Sequence, residues 1–130
     1  MRIYLDAAPI IYLIEQRTPF AHQVLAQIST PGSILVSSDL ALLEALVQPL
    51  RRKDQQLIQD FNSFFASQVS EKIGSTESVF RQAADIRADY NFRTPDALHL
   101  AAAMASSCDV FLTNDAGLKG FSPIAISVVS

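Results

Sequence analysis

Apolar residues along this chain repeat with two different periods, and the alternation between them marks its elements. Arg2-Ile3-Tyr4-Leu5-Asp6 is a short apolar run closed by an acid and reads as a buried strand. Pro9 stands where a first helical turn tolerates it, and Ile10 to Glu15 continue that helix. A second helix is predicted over Phe20 to Ile28, followed by a Pro31-Gly32 turn and a second strand, Ser33 to Ser37. Ser38 or Asp39 then caps a helix with the stripe Leu40, Leu43 and Val47, which Pro49 is expected to stop.

After Pro49 come three basic residues, Arg51-Arg52-Lys53, and an amphipathic helix through Leu57, Ile58, Phe61, Phe64 and Phe65. Val69 to Ile73 reads as a short strand ended by Gly74, and Ser78 to Tyr90 as a helix with Val79, Ala83, Ile86 and Tyr90 on one face. Thr94-Pro95 is a helix start, with the threonine expected as the cap and the proline as the first helical residue. The helix it opens, Asp96 to Ser106, is apolar nearly all round and should be buried. Asp109 to Thr113 and Ile124 to Val129 supply a fourth and a fifth strand. Strands alternating with helices in this way predict an α/β fold, a parallel sheet with helices on both faces.

Composition narrows the class. The 130 residues suit one domain spanning 1–130; 49% are apolar and 18% charged, enough to bury a core. A formal net charge of -3 argues against a protein that grips nucleic acid by bulk positive charge, although metal ions could reverse the field of an acidic site. The lone cysteine, Cys108, rules out an intrachain disulfide and a thiolate metal cluster, and reads as a small buried filler. Asp6 and Glu15 flank the first apolar stretch, which is therefore not read as a signal peptide, and no run approaches the roughly 20 residues of a membrane helix. A cytoplasmic location is expected.

Chemistry is expected where parallel strands end. Asp6 closes the first strand and Asp115 follows the fourth, although an acid at such a place often serves only a turn or a cap. Glu44 falls on the predicted stripe of Leu40, Leu43 and Val47, where an unpaired carboxylate would cost several kcal/mol; the bland reading has it at the stripe's margin or paired with an arginine. Asp96 lies in the first turn of the apolar helix, where the helix dipole favours it by roughly 0.3–1 kcal/mol and a ligand role competes with that reading. Four such carboxylates sharing a pocket would need a cation, and hard oxygen donors suit Mg²⁺ or Mn²⁺ and phosphodiester hydrolysis.

These residues also resemble a known family. Ile3 to Asp6 with Ile10 to Glu15, Ser38 to Glu44, Asp96-Ala97-Leu98-His99-Leu100-Ala101 and Phe111 to Asp115 together resemble the PIN-domain ribonucleases, most of all the VapC-type toxins of toxin–antitoxin pairs. The resemblance covers essentially the whole chain, in order. It implies a PIN-like three-layer α/β/α fold with a five-stranded parallel sheet, and a Mg²⁺ or Mn²⁺ site held by Asp6, Glu44, Asp96 and Asp115 and bordered by the Thr113 hydroxyl. It further implies endonucleolytic cleavage of RNA, a homodimer, and a cognate antitoxin. One departure stands out: where the family carries serine or threonine and often asparagine after the first aspartate, this chain has Ala7 and Ala8.

Other residues have plainer readings. His99, one turn after Asp96, is read first as a satisfied core histidine and second as a partner of the site or a proton donor. Glu15 could orient groups near the site, with a solvent-facing charge as the competing reading; His22 is read as a surface residue. Arg51-Arg52-Lys53 is a solvated basic loop or a phosphate clamp, and Phe61, Phe64 and Phe65 are core. A PIN scaffold that binds RNA or a protein without cutting is the main alternative. A receiver-like phospho-switch fits poorly, because an alanine rather than an acid follows Asp6 and no lysine follows the fifth strand.

Overall fold

Each apolar run read as a strand forms one, and all five lie parallel in one sheet in the computed structural model, which describes residues 1–130. In chain order the elements are β1 (Arg2–Leu5), α1 (Ala7–Ile14), α2 (Phe20–Ile28), β2 (Ile34–Ser38), α3 (Asp39–Arg52), α4 (Gln55–Ser67), β3 (Glu71–Ile73), α5 (Glu77–Tyr90), α6 (Thr94–Ala105), β4 (Val110–Thr113), a 3-10 turn (Ala116–Gly120) and β5 (Ala125–Val128). The sheet order is β3-β2-β1-β4-β5. The chain therefore works outward from β1 to β3, then crosses back to place β4 on the other side of β1. At that reversal the connections leaving β1 and β4 diverge, which opens a crevice at their carboxyl ends.

Side chains alternate across β1 and separate two cores. Tyr4 points with Val36 and Phe111 into the layer of α5 and α6, against Val79, Ala83 and Leu100. Ile3 and Leu5 point with Leu35 and Leu112 toward α1 to α4, against Ile10, Val24 and Phe61. Ile3, Tyr4 and Leu5 are all buried because both faces of the sheet are covered. Phe61, Phe64 and Phe65 pack in the second core, as their spacing predicts. No helix is long and apolar enough to cross a membrane.

Three local readings are corrected. Pro49 does not stop α3, which runs on to Arg52. A proline forfeits one backbone hydrogen bond but has a helical φ, and here its ring is buried while the last turn closes through Asp54 N–H donating to the Pro49 carbonyl at 3.0 Å. Arg51 and Arg52 thus belong to the final helical turn, with exposed side chains and with Lys53 in the left-handed region as the cap. The buried stripe of α3 is Ala41, Ala45 and Pro49 instead of Leu40, Leu43 and Val47; Leu43 is 59% exposed. Small side chains let this helix lie close to its neighbours, which turns the bulkier leucines toward its flanks.

Thr94, finally, is the first residue of α6 and not its cap. Arg93 holds the cap position without a side-chain hydrogen bond, and Thr94 Oγ1 accepts from Arg87 at 3.1 Å. Of the two caps considered for α3, Ser38 is the one used: its Oγ accepts from Ala41 N–H at 3.1 Å, while Asp39 is exposed and pairs with Lys72 at 3.4 Å.

Candidate functional site

The crevice at the sheet reversal collects acids from four elements. Asp6 follows β1 and caps α1 with its own carboxylate, Oδ1 accepting from Ala7 N–H at 2.8 Å. Glu44 projects from the second turn of α3, and Asp96 from the first turn of α6. Asp115 follows β4 and caps the 3-10 turn, accepting from Gly117 N–H at 2.8 Å. All four line one cavity of about 350 Å³, with Ala7, Ala8, Arg93, His99 and Asn114 among the other walls.

Within it, the tightest convergence is of Asp6, Glu44 and His99, whose ligand atoms lie within 4.8 Å of one another. Asp96 and Asp115 line the same cleft without joining that knot. Glu44 reaches the cleft for a different reason than the expected stripe: its side chain is 35% exposed and is drawn in by His99, whose Nε2 lies 2.5 Å from Glu44 Oε1. His99 is buried, as a core histidine would be, but its ring sits among polar partners. Nδ1 is 2.8 Å from Tyr4 Oη, and Nε2 is also 3.4 Å from Asp6 Oδ1.

Behind the carboxylates runs a buried polar chain. Tyr4 is fully buried, its ring stacked on Phe111 with centroids 5.1 Å apart, and its hydroxyl donates to Ser38 Oγ at 2.7 Å. Ser38 in turn caps α3, the helix that carries Glu44. The chain Ser38–Tyr4–His99–Glu44 therefore ties the start of α3 to the middle of α6 through the sheet. Buried polar groups of this kind are held in place because each would be costly to leave unpaired.

Thr113 ties two of the acids together. It is fully buried, donates from Oγ1 to Asp6 Oδ2 at 2.8 Å, and accepts from Asp115 N–H at 3.1 Å. Ala7 and Ala8 offer Asp6 no side-chain hydrogen bond, and the Ala7 N–H with the Thr113 hydroxyl supplies that support instead. Thr113→Val should leave one acceptor and one donor without partners and cost about 1–3 kcal/mol. Urea unfolding of the two proteins measures this; coincident midpoints would show that the bond contributes nothing.

Electrostatics agree with the geometry. Burial pushes the Asp6 carboxyl up, and His99, Thr113 and the Ala7 N–H pull it back without cancelling the shift. Burial draws the His99 imidazole down, but the Glu44 hydrogen bond and the charges of Asp6, Glu44 and Asp96 outweigh it, so its pKa stands above the ordinary histidine value. Only one Lys or Arg lines the cleft: Arg93, 79% exposed, whose Nε donates to Asp96 at 3.1 Å.

Glu15 lies outside the cleft lining, at the end of α1, paired with Arg17 at 2.6 Å. His22 is exposed and also outside it. Cys108 is partly exposed, not the buried filler expected, and lies 3.3 Å from Ser106 Oγ. The sequence alone does not single out Tyr4 or Arg93, nor the bond by which the α3 cap Ser38 holds Tyr4. For Arg93 a signal existed, a basic residue directly before the Thr94-Pro95 helix start; for Tyr4 and its bond to Ser38 none did, since both depend on which sheet face α6 covers.

A family model described as PIN domain matches residues 3–122. A search among curated proteins by sequence finds no match. Among solved structures, the chain is similar to VapBC2 from Rickettsia felis, bound to a DNA fragment from their promoter, with a TM-score of 0.79 over 100% of both chains at 16% identity. A toxin-antitoxin complex from Klebsiella pneumoniae aligns over 98% of each chain with a TM-score of 0.72 and 21% identity. Mycobacterium tuberculosis VapC20, a sarcin-ricin loop cleaving toxin, aligns over 84% of this chain and 86% of its own with a TM-score of 0.69 and 14% identity. At such identities the likeness is one of fold.

Proposed function

Because this chain belongs to the PIN-domain family, we propose that it is a divalent-metal-dependent endoribonuclease, the toxin of a toxin–antitoxin pair. The observation that carries the proposal is the cleft itself, where four carboxylates from four elements face a single arginine. Such crowding of like charge is unfavourable without a cation. An all-oxygen carboxylate set suits Mg²⁺ or Mn²⁺, and burial of Asp6 at 14% side-chain exposure makes a nearby positive charge worth more than it would be in water. Asp6, Glu44, Asp96 and Asp115 would hold the ion.

The ion, when bound, supplies an activated water and neutralises charge on the phosphoryl group. The protein's own groups do the rest. Thr113 fixes the carboxylate plane of Asp6 and the backbone of Asp115. His99 braces Glu44. Arg93 stands at the mouth of the cleft with its Nη atoms uncommitted, where a phosphate of an RNA strand can reach them. No nucleophilic side chain is required.

An antitoxin and a second copy of the chain are the proposed protein partners. Leu43 and Leu50, 59% and 56% exposed and seven residues apart on α3, give an apolar surface consistent with such contacts. A scaffold that binds without cutting is the other reading, favoured by Ala7 and Ala8, which present no polar group to the cleft.

The proposal is tested by incubating purified protein with mixed cellular RNA and Mg²⁺ or Mn²⁺, with and without chelator. Wild type should cut, chelator should stop it, and Asp96→Asn should lose the activity. Cleavage that survives both chelator and Asp96→Asn would remove the proposed site. Binding of RNA with no cleavage under any metal would favour the silent scaffold.

A further inference from the structure

We propose that His99 Nε2 is itself a ligand of the metal, with Asp6 Oδ1 and Glu44 Oε1, so that this cleft is a mixed nitrogen–oxygen site selecting Mn²⁺ over Mg²⁺. The inference rests on the reading that the cleft holds a divalent cation, and assigns to that site a donor which the carboxylates alone would not provide.

Three observations carry it. The first is spacing. Neighbouring ligands of an octahedral ion with bonds near 2.1 Å stand about 3 Å apart; His99 Nε2 lies 3.4 Å from Asp6 Oδ1, and its 2.5 Å approach to Glu44 Oε1 is a hydrogen bond that would open as a bound ion replaces its proton. The second is the other side of the ring. A histidine that ligates through one nitrogen nearly always commits the second to a hydrogen bond that fixes tautomer and orientation. Here Nδ1 faces Tyr4 Oη at 2.8 Å, and Tyr4 has given its own hydrogen to Ser38 Oγ. Tyr4 therefore accepts from Nδ1–H. In the metal-free cleft Nε2–H donates to Glu44 Oε1, and a divalent ion would take the place of that proton, leaving Nε2 as a donor atom between the two carboxylates.

The third observation is rigidity. His99 is 2% exposed, and Tyr4 is fully buried, stacked on Phe111 and bonded to the residue that caps α3. An imidazole held only to fill the core would not need its Nε2 aimed between two acids at the floor of an open cleft. Imidazole nitrogen is a good donor to transition ions and a poor one to Mg²⁺, which prefers oxygen and gives up water reluctantly. The set Asp6, Glu44 and His99 thus discriminates where a carboxylate-only set would do so weakly.

The test is spectroscopic and needs no turnover. Mn²⁺ is added to the full chain and the bound ion examined by pulsed EPR for coupling to a directly coordinated ¹⁴N, in ordinary protein and in protein carrying ¹⁵N-histidine. Because the chain has two histidines, His22→Gln serves as the control for the exposed one. Expected are a nitrogen coupling that changes with the histidine label and survives His22→Gln, and a calorimetric affinity for Mn²⁺ above that for Mg²⁺. His99→Phe, which keeps a ring in the core, should lose the coupling and about 10–100-fold in Mn²⁺ affinity, with a smaller change for Mg²⁺.

Bound Mn²⁺ with oxygen coupling alone in the unsubstituted protein would overturn the nitrogen ligand while leaving the metal site standing. No binding of either ion would overturn both. The label experiment uses the native chain, so a failure of His99→Phe to fold does not shield the inference.

Discussion

Asp6→Asn is expected to lower RNA cleavage by about a hundredfold or more, the upper range of losses seen when even an indirect partner of a metal ligand is removed, while the metal-free protein keeps or gains stability at neutral pH. The two halves have one cause. Burial holds the folded-state pKa of Asp6 above its ordinary value, so the folded chain binds that proton more tightly than the unfolded chain does. The favourable contribution is fully present below the unfolded pKa and is lost as pH rises through the raised folded value. At neutral pH the ionised carboxylate, without a cation, therefore works against folding. The amide carries no charge, can still accept from Ala7 N–H, and can donate to the Thr113 hydroxyl, whose oxygen has lone pairs to spare. Urea unfolding in chelator, at acidic and at neutral pH, should show a shallower pH slope for the variant than for wild type. Added Mn²⁺ should stabilise wild type and leave the variant nearly unmoved. A variant that cuts RNA as wild type does would remove Asp6 from the site; one that merely unfolds would show its carboxylate to be structural.

How much of this was legible beforehand depended on whether a feature was local. Strand ends and the rule that ligands gather beyond them were enough to single out Asp6 and Asp115, because the first follows a short apolar run directly and the second stands two residues past the end of another. The parallel sheet followed from alternation of element types, and its five strands formed where expected. Glu44 was singled out through a stripe that the fold does not bury. The period of a helix fixes which residues share a side but not which side faces inward, and on α3 the two alanines and Pro49 won over the leucines because close approach mattered more than bulk. Pro49 misled because a proline near a helix end costs only one hydrogen bond, which burial of its ring offsets. His99 was the hardest to read. Its spacing from Asp96 was visible, but its partner Tyr4 lies 95 residues away in the sheet, on β1, and only the packing of the layers decides that Tyr4 faces α6 while Ile3 and Leu5 face away.

That dependence of the site on the core behind it leads to the second large effect. Phe111→Ala should destabilise the protein by about 3–5 kcal/mol, the range for emptying a buried aromatic site, which is a large share of a total stability of about 5–15 kcal/mol. Phe111 is fully buried, and its ring is the surface on which Tyr4 stacks at 5.1 Å with 9° between planes. Removing it lets Tyr4 tilt, loosening the hydroxyl that holds His99 Nδ1 and with it the alignment of His99 and Glu44. Phe61→Ala is the matched control. Phe61 is equally buried, but it sits in the core on the other face of the sheet and does not line the cleft. Both variants should unfold at similar, lower urea concentrations; at a temperature where both remain folded, only Phe111→Ala should weaken Mn²⁺ binding measured by calorimetry. Equal weakening in the two would mean that metal affinity follows global stability alone. Unchanged binding in both would show that the polar chain through Tyr4 holds its geometry without the stack.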